Sequence, residues 1–340
     1  MKITVEIGKD PALWDAQLLE FRYAHPFQTT SFADWMALKG DIPLYLRFFG
    51  GDQLIGLCLV LKTKNKNAYC LYGPVVKEGF DQVYPEIIDK MFSSLKKNGV
   101  LSIESGSTQL NYASSGETKN LPAGFRTEEG ESPFVDLRKD IDDIFREFDP
   151  AVRKNIRKCK ENGMQILFDN QGEYLPAYLD LLEEFRSGRG FALPPFYPNT
   201  DSLKIFNRSP LTMELAMAWV NDRFLSGLGY VVFGKVVVPI ALAEAEDYRN
   251  SKLPANYYLF SEAMTRYQAQ GVEIFDITGG RKEPADSKKE NIHRFKRQFS
   301  KNQAEFLIFP RTVLSPEWYL HRSMSGFANA LQKFTRRGTS

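Results

Sequence analysis

The chain has 340 residues, 43% of them hydrophobic, and its 44 Lys plus Arg against 42 Asp plus Glu leave a net charge of +2. That balance excludes a disordered chain. It also excludes a dedicated nucleic-acid binder, whose domains usually have a pI above about 9, although a local basic cleft stays open. At roughly 150 residues per domain, the length suits two domains.

In chain order, Leu44 to Phe49 and Leu54 to Lys62 read as a β-hairpin around Gly50-Gly51-Asp52-Gln53. Tyr84 to Asn98 has apolar residues at helical spacing, and Gly99 to Glu104 is a short strand ending in an acid. Ile141 to Phe148 reads as a helix. Asp149-Pro150 then starts the helix Ala151 to Asn162, which ends at Gly163. Gly229 to Phe233 and Val236 to Glu244 form a second hairpin around Gly234-Lys235, followed by a helix from Tyr257 to Gln270 and a strand from Gly271 to Asp276. Pro316 to Arg337 reads as an amphipathic helix that needs a groove.

Hairpin, helix, Gly-Val, strand and acid therefore occur twice in the same order. The expected fold is α/β with mixed sheets: two N-acyltransferase-like (GNAT-like) domains in tandem. Residues 1–140, completed by a C-terminal helix over 310–340, form the first; residues 141–309 form the second.

Three cysteines, Cys58, Cys70 and Cys159, and three histidines match no metal or disulfide pattern. No metal or other cofactor is expected, and a reducing cytoplasm is the expected compartment. The stretch from Leu225 to Ala245 is broken by Gly234, Lys235 and Pro239, which argues against an integral membrane span. The N-terminus lacks the apolar region of a signal peptide. A Walker loop, a dinucleotide-binding glycine loop and a Gly-x-Ser-x-Gly elbow are all missing from the sequence. Neither hairpin is followed by the glycine loop that cradles a CoA pyrophosphate at a helix N-terminus.

Arg153, Lys154, Arg157 and Lys158 stack at i,i+4 spacing on the helix after Pro150. They form either a solvated surface or a wall facing RNA phosphates.

Several segments together resemble the FemAB/FemX aminoacyltransferases, which build peptidoglycan interpeptide bridges. They are Gln28 to Lys39 (QTTSFADWMALK), Tyr72-Gly73-Pro74-Val75, Arg153 to Gly163, and Asp276-Ile277-Thr278-Gly279-Gly280 followed by Phe295-Lys296-Arg297-Gln298-Phe299. The long coiled-coil arm of some members is missing here, since residues 193–210 are broken by prolines and show no heptads.

The resemblance implies transfer of an amino acid from aminoacyl-tRNA to an amine of a peptidoglycan precursor, UDP-linked or lipid-linked. It places Lys296 at the reacting ester, where a cation would steady the oxyanion. Asp276 would orient the amine or cap the turn that follows it. Lys39 would bind precursor phosphates. The family's phosphate-gripping arginine falls on Pro194 or a neighbour, so Arg189 or Arg186 would supply that charge from a shifted position. Tyr72, Tyr197, Tyr248 and Tyr257 are candidates for lining the substrate groove or for the core. A positive cleft between the domains is expected, in a monomer for which peripheral membrane contact stays open. Two other readings are an N-acyltransferase with another donor, acting on a polysaccharide amino sugar, and a binding protein that has lost its chemistry.

Overall fold

The computed structural model describes residues 2–108, 128–187, 200–208, 210–245, 253–281, 287–301 and 303–319. The first half contains β1 (Ile3–Gly8), α1 (Trp14–Leu18), α2 (Thr30–Ala37), β2 (Ile42–Gly50), β3 (Gln53–Lys62), β4 (Asn67–Leu71), β5 (Val75–Val76), α3 (Tyr84–Lys97), β6 (Ser102–Thr108) and β7 (Glu128–Asp136). The second contains α4 (Ile141–Glu147), α5 (Pro150–Glu161), β8 (Gln165–Asp169), α6 (Leu175–Ser187), α7 (Thr200–Phe206), β9 (Leu211–Val220), β10 (Arg223–Phe233) and β11 (Val236–Glu244). It continues with α8 (Ala255–Ala269), β12 (Ile274–Asp276), β13 (Gly280–Arg281), α9 (Ser287–Arg297) and β14 (Gln303–Val313).

Turn and cap chemistry explain the main boundaries. The Thr29 side chain accepts the Phe32 N–H and starts α2, and Asp149 accepts the Ala151 N–H and starts α5 beside Pro150. Gly99, Gly163 and Gly271 take positive φ just past α3, α5 and α8, a conformation that costs glycine little.

The strands form one sheet in the order β1-β2-β3-β4-β6-β14-β7-β12-β11-β10-β9-β8, with β5 and β13 off this path. Four antiparallel strands followed by a parallel partner occur twice. They are β1 to β4 with β6, and β8 to β11 with β12, the linking helix being α3 or α8. The duplication is therefore real, but its register differs by one strand from the sequence reading. The hairpin β2–β3 corresponds to β9–β10, not to β10–β11. The reason is the turn between β9 and β10, Asn221-Asp222. It takes positive φ at two non-glycine residues and so lacks the glycine that marks the β2–β3 and β10–β11 turns.

The halves also exchange a strand. β7 pairs with β12 of the second half, while β14 pairs with β6 of the first. Residues 310–313 end β14, so they are strand and not the start of the expected C-terminal helix; Thr312 and Val313 pair with Ile103 and Ser102 of β6. A helical turn begins at Glu317, Trp318 is buried, and residues 320–340 lie outside the described residues. We propose keeping 1–140 and 141–309 as the two domains, with β7 and β14 as the exchanged elements.

A hydrophobic cluster joins the halves. Trp14, Leu18, Phe32 and Trp35 pack with Tyr178, Leu211, Met213 and Val231. Separate clusters lie under α3 in the first half and under α5 and α8 in the second. Among the described residues, no helix is long and apolar enough to cross a membrane.

Candidate active site at the seam between the halves

The second half contributes a turn and a helix. After β12 the Ile277 N–H donates to Pro133 O at 3.0 Å, which pulls the turn against β7. Thr278 takes φ 66°, a strained value for a β-branched residue. A Cβ on Gly279 would meet Glu131 O at 2.4 Å and Ser132 Cβ at 2.8 Å, so only glycine fits there. Gly279→Ala is accordingly expected to cost about 1–3 kcal/mol through overpacking. Denaturant unfolding would measure this, and an unchanged midpoint would contradict the close approach. α9 is anchored by Phe295 and Phe299, which pack on Phe260 and Tyr257, and it brings Lys296 to the turn.

The first half contributes His25 and Tyr72. Gln28 holds this corner: its Nε2 donates to Leu71 O at 2.6 Å, and its Oε1 accepts the Leu59 N–H at 2.7 Å. A Cβ on Gly73 would lie 2.8 Å from the Gln28 amide, so a larger residue there would push the Gln28 side chain from its place. Tyr72 takes φ 58° and lies flat against His25, with ring centroids 3.6 Å apart and planes 6° apart.

The two halves meet on Asp276, which is buried. Its Oδ1 accepts the Ser132 hydroxyl at 2.9 Å and the Thr278 N–H at 2.7 Å. Its Oδ2 lies 3.8 Å from His25 Nε2. His25 Nδ1 accepts the Phe27 N–H at 3.2 Å, so the proton of the neutral ring is placed on Nε2, facing the carboxylate. Burial holds the His25 pKa well below its usual value, so this contact is a dipole against a charge and not an ion pair. The Gly279 N–H donates to the Tyr72 hydroxyl at 3.3 Å. Lys296 Nζ donates to Thr278 O at 2.9 Å and to Thr278 Oγ1 at 2.7 Å.

Burial pushes the Asp276 pKa up, opposed by the Ser132 and Thr278 hydrogen bonds and by Lys296. Burial pulls the Lys296 pKa down to about 8, opposed by Asp276. At pH 7 the amine is then protonated roughly ten to one. Two of its three N–H donors are used by Thr278, which leaves one for a developing oxyanion.

The structure thus brings together Lys296, Asp276 and Tyr72 of the residues expected from sequence. Lys39 makes no contact with them: it is exposed just beyond the C-terminal end of α2, its Nζ 4.8 Å from the centroid of the Trp35 ring. The Tyr257 hydroxyl donates to Gln298 Oε1 at 2.8 Å, and its ring belongs to the aromatic cluster behind Lys296. On α5, Lys154 and Arg157 are exposed and Lys158 is half-buried. Arg153 has a structural task, donating to the carbonyls of Arg146 and Phe148 at 2.7 Å each. Arg186 lies on α6 with its side chain outside the described residues, as are Arg189, Tyr197 and Tyr248 entirely. Sequence reasoning missed His25, Ser132 and the role of Thr278. His25 directly precedes Pro26-Phe27-Gln28, where the quoted motif begins, but nothing local ties it to Asp276, 251 positions away.

The shifted register also moves the expected pyrophosphate position in the first half. It falls after β4, where Tyr72 to Gly79 supplies a cis Gly73-Pro74 bond and the short strand β5 instead of a glycine-rich cradle.

A sheet of this topology, written twice and sharing a site at its seam, defines a tandem GNAT fold. The acetyltransferase (GNAT) domain profile matches residues 147–297, most of the second half. Across the whole chain the fold is similar to the crystal structure of FemX, with TM-score 0.72 and 15% identity over 94% of this chain and 99% of that one. It is also similar to the C-terminal DUF2156 domain of a putative lysylphosphatidylglycerol synthetase from Agrobacterium fabrum (TM-score 0.57, 11% identity, 93% and 95% covered). A tandem GNAT protein from the clavulanic acid biosynthesis pathway matches with TM-score 0.51 and 10% identity, over 93% and 99%. No curated protein matches the chain in sequence.

Proposed function

We propose that the protein is an aminoacyltransferase that forms an amide between an amino acid carried by aminoacyl-tRNA and an amine of a peptidoglycan precursor. The observation that carries this reading is the Lys296 ammonium, held by Thr278 beside buried Asp276 where the two halves meet. The amine nitrogen attacks the ester carbonyl carbon and a C–N bond forms. The C–O bond to the ribose breaks, and the proton lost by the amine ends on the ribose oxygen. Between these events the carbonyl oxygen carries negative charge, and the third N–H of Lys296 meets it. A donor already in place stabilises that state more than the neutral ester.

Lys154, Arg157 and Lys158 on α5 are our candidates for the tRNA phosphates, and Lys39, Arg186 and Arg189 for the precursor's phosphates. Tyr72, Tyr197, Tyr248 and Tyr257 are the proposed groove tyrosines. The FemX fold supports a cell-wall acceptor, and the synthetase fold, named for an aminoacylated phospholipid, supports an aminoacyl donor. The acetyltransferase (GNAT) match favours a second reading, an N-acyltransferase with another donor acting on a polysaccharide amino sugar.

The test incubates the protein with charged tRNA and with UDP-linked and lipid-linked precursors, and reads the acceptor mass. A gain equal to one aminoacyl residue is expected. No gain with tRNA, together with a gain from an acyl-CoA or acyl-carrier donor, would overturn the first reading in favour of the second.

A further inference from the structure

Three segments converge at one end of the first half, at the Asn67 end of β4 and not at its Tyr72 end. Ile42 is the cross-strand partner of Lys62. The Lys62 ammonium donates to Asn98 O at 2.9 Å, at the C-terminus of α3. The Lys64 side chain lies over Gly40, so that a Cβ there would meet its Cε at 2.8 Å. The Leu101 N–H donates to Lys66 O at 2.8 Å. These contacts gather residues 38–42, 62–67 and 96–101 into one face.

The face carries Lys39, Lys64, Lys66, Lys96 and Lys97, all exposed, with Lys62 engaged on the helix end behind them. The one carboxylate in these segments is Asp41, whose Oδ2 accepts the Tyr69 hydroxyl at 2.6 Å. Two aliphatic side chains stand out among the lysines: Leu38 is 63% exposed and Ile42 42%.

We propose that this face docks on an anionic phospholipid surface. Clustered lysines are attracted to the negative headgroup layer, and protruding aliphatic chains enter the headgroup–acyl boundary. The composition favours lipid over RNA. The three segments hold no arginine, and they hold no aromatic residue on which a base could stack.

The face also has a consequence for the acceptor, which rests on the function proposed above. β4 starts in this face at Asn67 and ends at Leu71, beside Tyr72 of the seam. Its five residues rise about 3.3 Å each, or roughly 16 Å in all. A lipid-linked precursor would keep its phosphates at the membrane near Lys39 while its peptide amine reaches Lys296.

The experiment is co-sedimentation of the full chain with vesicles at about 0.1 M salt. One set contains phosphatidylglycerol in phosphatidylcholine, and the other contains phosphatidylcholine alone. Binding is expected only to the first and should weaken as salt rises. The combined variant Lys64→Gln, Lys66→Gln, Lys96→Gln, Lys97→Gln should bind about 600-fold more weakly, since each lysine near such a surface is worth roughly a factor of five. Leu38→Ser should cost a smaller factor, about 5-fold. Both variants change exposed side chains and should keep the wild-type melting temperature, which separates lost docking from lost fold.

Equal binding to both vesicle types would overturn the proposal, as would a four-lysine variant that binds like the wild type. A variant that loses tRNA binding while keeping vesicle binding would assign the face to RNA instead. Vesicle binding as expected without any aminoacyl transfer would remove the proposed reaction and leave the docking face standing. Transfer to a soluble precursor without vesicle binding would do the reverse.

Discussion

Lys296→Ala is expected to lower the transfer rate on the order of 100-fold or more, the usual cost of losing one preorganised donor to an oxyanion. On the proposed mechanism the loss should appear in kcat, since the third N–H of the ammonium would meet charge that exists only in the transition state. The wild-type rate should fall as pH rises through about 8, where burial has brought the Lys296 pKa. The sign follows from the chemistry: the active form is the protonated one, present below that value.

The same shift makes a second, opposite demand on stability. Folding lowers the pKa of Lys296 from 10.5 to about 8, so the folded protein holds this proton less tightly than the unfolded chain. The charged lysine therefore costs stability below pH 8, and the cost fades as pH rises from 8 towards 10.5. Lys296→Met should then gain stability at pH 7, up to about 3 kcal/mol less whatever the lost Thr278 bonds contributed. Denaturant unfolding at pH 7 and pH 10 measures it. A Met variant less stable than wild type would show that the lysine serves the fold, and normal turnover in the Ala variant would remove the mechanism.

The second large effect is at Asp276. Asp276→Ala leaves the Ser132 hydroxyl and the Thr278 N–H without their acceptor and removes the charge facing Lys296. Breaking a buried arrangement of this kind costs about 3–5 kcal/mol. Asp276→Asn keeps an acceptor oxygen but loses the charge, and its amide N–H would face the N–H of His25 Nε2. Without the carboxylate, Lys296 loses what opposes its desolvation, so its pKa should drop further. The basic limb of the pH–rate profile should move below pH 8 in Asp276→Asn. A purely structural aspartate would lower the amount of folded protein and leave the limb where it was.

The one-strand shift of the repeat shows what could be read locally. Capping boundaries, such as Asp149-Pro150 at α5, and hairpins closed by glycine were legible, because a few neighbouring residues decide them. The β9–β10 turn was not, since Asn221 and Asp222 adopt left-handed geometry without glycine. Of the site, Asp276 and Lys296 were legible through their motifs, and Tyr72 through the Gly-Pro segment after it.

The sequence by itself determined the glycine-closed hairpins, the capped helices and the fact of the duplication, and it supplied Lys296 as the candidate cation. Each of these follows from periodicity, turn chemistry or a short motif, all of which act over a few residues. Only the tertiary structure decided that β7 and β14 change places between the halves. It also decided that His25 and Tyr72 close over Asp276, and that Lys39 stands with the surface lysines around Gly40 and Lys64. These depend on strand pairing and side-chain packing across more than 200 positions, where no local pattern constrains which partner is met.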